Sequence, residues 1–379
     1  MRILAIAPTA FYNDYGCHIR IRGQLCSLQA RGHTIRLITY PAGRDVAELD
    51  VVRGPGLRQM PVGSSRRKLL LDALLGPAVL QQALRFRPHV VYTYLHEGML
   101  MGAMLASWLR KPWAADYQGS LTAEMLTHHF LRPHSIWLRP LQWLEHWLER
   151  RPQAVLASTE QGVQTLRTHG IEAQRLHHLP DAVDPELFHP QERDAGLAGR
   201  LGLHPGRPTL VYLGLLASYQ GIDLLLHAVA RLAQPVNLLL MGFPHERRYK
   251  KLAQTLGIAE QVILTGAIPY VQAPRYLALG QLALSPKLPG SEGSGKLLPY
   301  MSMALPVLAT ESPAHRAYLA EDGLFAAPQP DAWARALHDA LARLPTLRLR
   351  GQGLRERVLQ RYTWQHTAAQ MERVFRALG

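Results

Sequence analysis

Residues 285–310 read SPKLPGSEGSGKLLPYMSMALPVLAT. The stretch parses as the end of a strand, a glycine-rich loop, a helix and a second strand. The loop GSEGSGK places Gly290, Gly293, Gly295, Ser291 and Ser294 within seven residues. Glycine lets backbone N–H groups crowd a ligand because no Cβ stands in the way. The helix that follows offers free N–H groups and the positive end of its dipole, which suits a phosphate. Lys296 sharpens this reading. A lysine in the first helical turn opposes the dipole at a cost of about 0.3–1 kcal/mol, and a bound anion reverses the sign of that cost. The alternative is a flexible surface loop carrying a solvated lysine.

On either side of this stretch the chain alternates short apolar runs with helical segments. MRILAIAP is a buried first strand; a loop over residues 9–18 leads into a helix through about residue 30, closed by Arg31-Gly32-His33, and TIRLITY is a second strand. Such βαβ units imply a parallel sheet with right-handed crossovers. Residues 64–87 form an amphipathic helical region with a break expected at Gly76-Pro77. HVVYTYL (89–95) and WAADYQG (113–119) are strands, with a helix over 98–109 between them; a tryptophan-rich helix over 135–151 and the strand AVLAST follow. PDAVDPELFHP (180–190) interrupts the pattern with three prolines and marks a connector between domains. The alternation resumes with TLVYLGLL (209–216), NLLLMG (237–242), QVILTG (261–266) and LALSP (282–286) as strands, and a helix over 364–378 closes the chain. The expected class is α/β, with two doubly wound domains at 1–181 and 182–363 and a last helix, 364–379, packing back on the first domain.

Composition narrows the function. The chain has 379 residues, 47% hydrophobic and 18% charged, which suits two globular cores rather than disorder. The net charge is +14: +9 over residues 1–180 (21 basic, 12 acidic) and +5 over 181–379 (21 basic, 16 acidic). That excess suits anionic small molecules or an anionic membrane surface. No recognised nucleic-acid-binding motif accompanies it, so nucleic acid is not an expected partner. Cys17 and Cys26 have no metal or redox spacing and, without a secretory signal, point to a reducing cytoplasm. No uncharged run reaches the 18 or so residues of a membrane span. His128-His129 and His177-His178 are adjacent pairs rather than the i, i+4 ligands of helical zinc sites, so no metal is expected.

Five stretches in this order resemble the GT-B glycosyltransferases, and more particularly glycosyltransferase family 4. ARGHTIRLITY matches the family's opening, WLEHWLERRPQAVLAST its last N-domain helix and strand, and PDAVDPELFHP its connector. TLVYLGLLASYQGIDLLLHAVARL resembles its first C-domain strand, loop and helix, and GKLLPYMSMALPVLAT its donor-site helix and strand. The resemblance implies two Rossmann-like domains facing a cleft. It also implies a retaining transferase that moves a sugar from a UDP- or GDP-sugar to a glycan or lipid-linked acceptor, without a metal cofactor. The donor would contact Gly214, Tyr219, Gln220, Gly242, Ser291, Glu292, Gly293, Ser294, Gly295, Lys296 and Leu297. Where the family commonly has Arg and Lys after its first C-domain strand, this chain has Leu215 and Gln220, although some members share the YQG variant. Where the family has a second glutamate eight positions after the first, this chain has Pro299, or Tyr300 in another register. Alternative readings are a nucleotide-sugar epimerase or hydrolase and a non-catalytic binding protein.

In open α/β sheets the ligand sits beyond the C-terminal strand ends. That rule gathers the loop after the first strand, His96-Glu97 and the region from Asp116 to Ser120 around an acceptor site. His96 and Asp116 are candidate catalytic residues, with a buried strand-end histidine and a structural hydrogen bond as their alternatives. Tyr15, Gly16, His18, Glu97 and Gln118 are candidate acceptor contacts; ordinary turn chemistry is the alternative for the first three. Trp143 and Trp147, at i and i+4, and Arg66-Arg67-Lys68 suggest peripheral contact with the inner face of the plasma membrane. The tryptophans packing on their own sheet is the alternative.

Overall fold

The structure is a computed structural model that describes all residues except 12–15, 45, 57–66, 128–129 and 289–293. The chain divides into two units, one formed by Met1–Asp181 with Trp364–Gly379, the other by Ala182–Gly290 with Ser294–Thr363.

The first unit is built on seven parallel strands: β1 (Arg2–Ala7), β2 (Thr34–Thr39), β3 (Asp50–Arg53), β4 (Val90–Tyr94), β5 (Trp113–Tyr117), β6 (Ala154–Ala157) and β7 (Leu176–His178). Their order is β3-β2-β1-β4-β5-β6-β7, so the winding reverses between β1 and β4. The register is fixed by alternation: Ala5 lies beside Leu37 on one side and Tyr92 on the other. Leu4, Ile6, Ile38 and Val91 face Leu71, Leu75, Val79 and Ala83 of the helix Arg67–Phe86 and Met99 and Leu105 of the helix Leu95–Leu109. Ile3, Ala5, Leu37 and Tyr92 face Ile21, Leu25 and Leu28 of the helix Gly16–Ala30, together with Ala368, Met371 and Phe375 of the helix Trp364–Ala377. Each fully buried Leu, Ile, Val, Met or Phe among them contributes about 1.5–3 kcal/mol. Glu372 anchors the C-terminal helix further, accepting from Arg31 Nε at 2.9 Å.

Two expectations are corrected here. The helix Arg67–Phe86 runs unbroken through Gly76-Pro77. An internal proline costs about 3 kcal/mol, and the buried stripe of Leu71, Leu75, Val79 and Ala83 on both sides of it outweighs that cost. The strand β4 stops at Tyr94, and the next helix starts at Leu95 rather than Gly98. Leu95 takes φ 62°, which turns the chain from strand to helix in one residue. His96 and Glu97 therefore stand in a first helical turn, not at a strand end.

The second unit holds six parallel strands: β8 (Thr209–Leu213), β9 (Asn237–Met241), β10 (Val262–Leu264), β11 (Leu282–Ser285), β12 (Val307–Thr310) and β13 (Leu324–Ala326). Their order, β10-β9-β8-β11-β12-β13, reverses between β8 and β11. Both sheets are thus doubly wound and Rossmann-like. Among the described residues, no helix is long and apolar enough to cross a membrane.

Candidate active site

In the second unit, the reversal point between β8 and β11 collects the residues singled out in the loops. β8 is followed by Gly214, which adopts φ 147°. A Cβ on Gly242, just after β9, would stand 1.9 Å from the Gly214 carbonyl oxygen, so only glycine fits there. The loops beyond the two strands stay paired, with Leu216 N–H donating to Phe243 O at 3.0 Å. The short turn Ser218–Gln220 leads to Gly221 at φ 75°, where a Cβ would lie 2.0 Å from Pro286 O. Tyr219 O accepts the Leu288 N–H at 3.0 Å, which ties this turn to the chain leaving β11.

Lys296 reaches back into this cluster. Its Nζ lies 4.6 Å from the centroid of the Tyr212 ring and donates to Tyr212 Oη at 3.2 Å and to Gln220 Oε1. A Cβ on Gly214 would come within 3.4 Å of the same Nζ. Gly214, Gln220 and Lys296 are therefore brought together, with Gly242 beneath them. The helix behind Lys296 has only six residues, Leu297–Ser302, every one of them buried. So short a helix adds little dipole, and the cation rather than the helix is the main positive element. Ser294 is buried and Gly295 half-buried, with Leu298 N–H donating to Gly295 O at 3.1 Å. Ser291, Glu292 and Gly293 lie outside the described residues. Of the positions where a second glutamate was sought, Pro299 is buried in the helix and Tyr300 Oη accepts the Leu213 N–H at 2.6 Å. Tyr300 thus braces the end of β8, and burial pushes its phenol pKa up.

A second cation was missed in the sequence. Lys287 follows β11 by two residues and is only 6% exposed. With Lys296 it depresses His315, whose pKa is lowered to about 4, first by burial and then by these two charges. His315 Nδ1–H donates to Thr310 O at 2.6 Å, so its Nε2 accepts from Ser285 Oγ at 3.2 Å. The signal in the sequence was a lysine directly between the strand LALSP and the glycine loop.

In the first unit, the strand ends hold two networks. Asp116 is fully buried and accepts from Arg20 Nη2 at 2.7 Å, Gln118 Nε2 at 2.8 Å and Tyr92 Oη at 3.2 Å. Arg20 also reaches Asp181 Oδ1 at 3.0 Å and Leu179 O at 2.9 Å. This is the geometry of a buried ion pair that holds β5 to the first helix. Gln118 is held by the same carboxylate. His18, also buried, bonds through Nε2 to Thr9 Oγ1 at 2.7 Å and packs edge-on to Phe11. Gly16 opens the helix, and Tyr15 lies outside the described residues.

His96 belongs to the other network. Its Nε2 lies 3.3 Å from Glu149 Oε1 and 3.7 Å from Glu145 Oε1. Burial works against the imidazolium, but Glu149 and Glu145 prevail and raise its pKa. With both carboxylates on this nitrogen, His96 Nε2 is engaged by the protein rather than open toward a substrate proton. Glu149 Oε2 is also 2.6 Å from His169 Nδ1. Glu145 accepts from the N–H groups of Leu121 and Thr122 at 2.9 and 3.1 Å and from Thr122 Oγ1 at 2.6 Å. It thereby fixes the loop that follows β5. Glu97 is half-buried in the same helical turn. Among the described residues, His96, Glu145 and Glu149 bring ligand-type atoms within 4.8 Å of one another, a set that sequence spacing did not reveal. Each of these side chains already has protein partners, which fits a structural network better than a metal site.

Known proteins match both units. The family model described as Glycosyl transferase 4-like domain matches residues 15–182, and that described as Glycosyl transferases group 1 matches 207–343. A GDP-mannose-dependent alpha-mannosyltransferase of Corynebacterium glutamicum is 26% identical over 285 residues, covering 71% of this chain. The chain spans 62% of that protein's length. A phosphatidyl-myo-inositol mannosyltransferase of Mycobacterium leprae is 25% identical over 394 residues, covering 100% of this chain and 97% of the relative. The structure of sucrose-phosphate synthase from Thermosynechococcus elongatus superposes with a TM-score of 0.84 at 21% identity, covering 100% and 99% of the two chains. That last likeness is one of fold.

Proposed function

The chain belongs to the glycosyl transferases of group 1, with the GT-B fold, and from that membership we propose that it transfers a sugar, with retention of anomeric configuration, from a nucleoside diphosphate sugar to a glycan or lipid-linked acceptor. The observation that carries this reading is the placement of Lys296 over the glycine-lined end of β8. The diphosphate would meet the Lys296 ammonium, with Lys287 nearby, and backbone that Gly214 and Gly242 keep free of side chains. The two lysines then offset the leaving-group charge, and no metal ion is called for in this reading. Charge-assisted hydrogen bonds of this kind are worth about 1.5–3 kcal/mol each.

With His96 Nε2 taken up by Glu149 and Glu145, the acceptor proton would pass to the leaving phosphate rather than to a protein base. The name of the Corynebacterium relative makes GDP-mannose the first donor to try. The test is thermal-shift screening of the whole protein against GDP-, UDP- and ADP-sugars. Proton NMR of the product then gives the anomeric configuration of the new linkage. Stabilisation by one nucleotide family and a retained configuration are expected. Inversion would contradict the mechanism. Pro299, in place of a carboxylate, favours a second reading as a binding protein, which predicts nucleotide binding with neither transfer nor donor hydrolysis.

A further inference from the structure

Three helices on one face of the first unit's sheet present an outer surface that the site does not use. Leu100, Met104 and Trp108 recur every four residues along the helix Leu95–Leu109 and are 40%, 61% and 61% exposed. Leu70, Leu74, Leu80 and Leu84 of the helix Arg67–Phe86 are exposed as well. Trp137 and Trp143, at the start and within the helix Leu138–Glu149, are 64% and 67% exposed. Trp147 and Arg151 line both the groove that holds Leu100 and Met104 and a second one that holds Trp143, so these side chains are neighbours on the surface.

Its charges have one sign. Arg85, Arg87, Arg110, Lys111, Arg139, Arg150 and Arg151 are exposed on these helices and at their ends. The carboxylates on the same helices are turned inward or half-buried: Glu145 and Glu149 are buried, and Asp72 accepts from Tyr40 Oη at 2.5 Å. Beside the helix Leu95–Leu109 lies a groove of about 700 Å³ whose lining combines apolar Leu100, Met104 and Trp147 with cationic Arg110, Lys111 and Arg151. The Arg151 guanidinium stands 4.3 Å over the Trp147 ring. Apolar side chains, cations and exposed indoles on one face match the chemistry of a bilayer surface, with acyl chains beneath anionic headgroups.

We propose that this face of the first unit rests on an anionic lipid bilayer, with Trp108 and Trp143 entering the interface and the groove receiving a lipid headgroup. The expectation from Trp143 and Trp147 is thereby extended to a surface of three helices, although Trp147 is half-buried and packs on its own core. Arg66 and the side chains of Arg67 and Lys68 lie outside the described residues, and nothing in the proposal uses them. Nor does it need the donor assignment, since nucleotide binding is read by a separate measurement.

The test is sedimentation of the whole protein with vesicles of phosphatidylcholine alone and of phosphatidylcholine with phosphatidylglycerol. Partition to the anionic vesicles only, weakened by salt, with a blue shift of tryptophan emission, is expected. The pair Lys111→Glu and Arg151→Glu should weaken partition at least about tenfold. The pair Trp108→Ser and Trp143→Ser should lower it and remove most of the blue shift. The exposed-residue control Val271→Ser with Leu349→Ser, in the second unit, should leave partition unchanged. Matching thermal melts of all variants guard against misfolding. Equal partition to neutral vesicles, no partition at all, or a self-association that Trp108→Ser with Trp143→Ser abolishes would overturn the proposal. The last outcome would make the face an interface between copies of this chain.

Discussion

Two buried histidines carry opposite pH dependences. His315 has a folded pKa of about 4, lowered chiefly by burial, against about 6.5 when unfolded. The unfolded chain therefore binds more protons between these values, and stability falls as pH drops from about 6.5 to 4, by up to about 3 kcal/mol. Melting temperatures across that window should show a shallower acid limb in His315→Gln than in the parent. His96 has the reverse sign. Its raised pKa gives stability that is complete below about 6.5 and is lost as pH climbs through the folded value. Glu149→Gln should weaken that alkaline dependence by removing the main stabiliser of the imidazolium. Backbone constraints are as local as these charges. Gly242→Ala drives a Cβ against Gly214 O, and the cost should be about 1–3 kcal/mol or more in a denaturant melt, together with loss of nucleotide binding. At this scale the sequence was only partly legible. It singled out Lys296 through loop composition and Gly214 and Gln220 through the family resemblance, but not Lys287 or Glu145.

Elements were read well where an apolar period had a glycine or proline beside it, and less well where tertiary packing decided. Gly76-Pro77 has the local chemistry of a break, yet the core stripe on both sides of it keeps one helix. The start of the helix at Leu95 was hidden because a leucine at positive φ has no local signature. The C-terminal helix is held by shape as much as by burial. Gly23 lies under the Trp364 ring, and a Cβ there would come within 2.2 Å of it. Gly23→Ala should displace Trp364 and destabilise the first unit by about 1–3 kcal/mol. The check is a urea melt followed by tryptophan fluorescence, with a matching loss in Trp364→Ala. Equal midpoints in the parent and Gly23→Ala would show that the helix is not seated on this contact.

Over the whole molecule, the two parallel sheets follow from alternating apolar and amphipathic runs, and each reverses its strand order where ligands collect in such folds. The class of the fold was therefore visible from pattern alone. The donor base, the sugar and the acceptor were not, because pocket contacts rather than periodicity choose them. The positive charge is likewise a property of the whole chain, and in the second unit two of its lysines, Lys287 and Lys296, stand at one sheet reversal. The direct measurement is calorimetric titration of the intact protein and of Lys296→Ala with GDP, UDP and ADP. One nucleotide should bind the parent, and the variant should bind it about ten- to a hundredfold more weakly at an unchanged melting temperature. Equal affinity in the two proteins, or no heat from any nucleotide, would contradict the account.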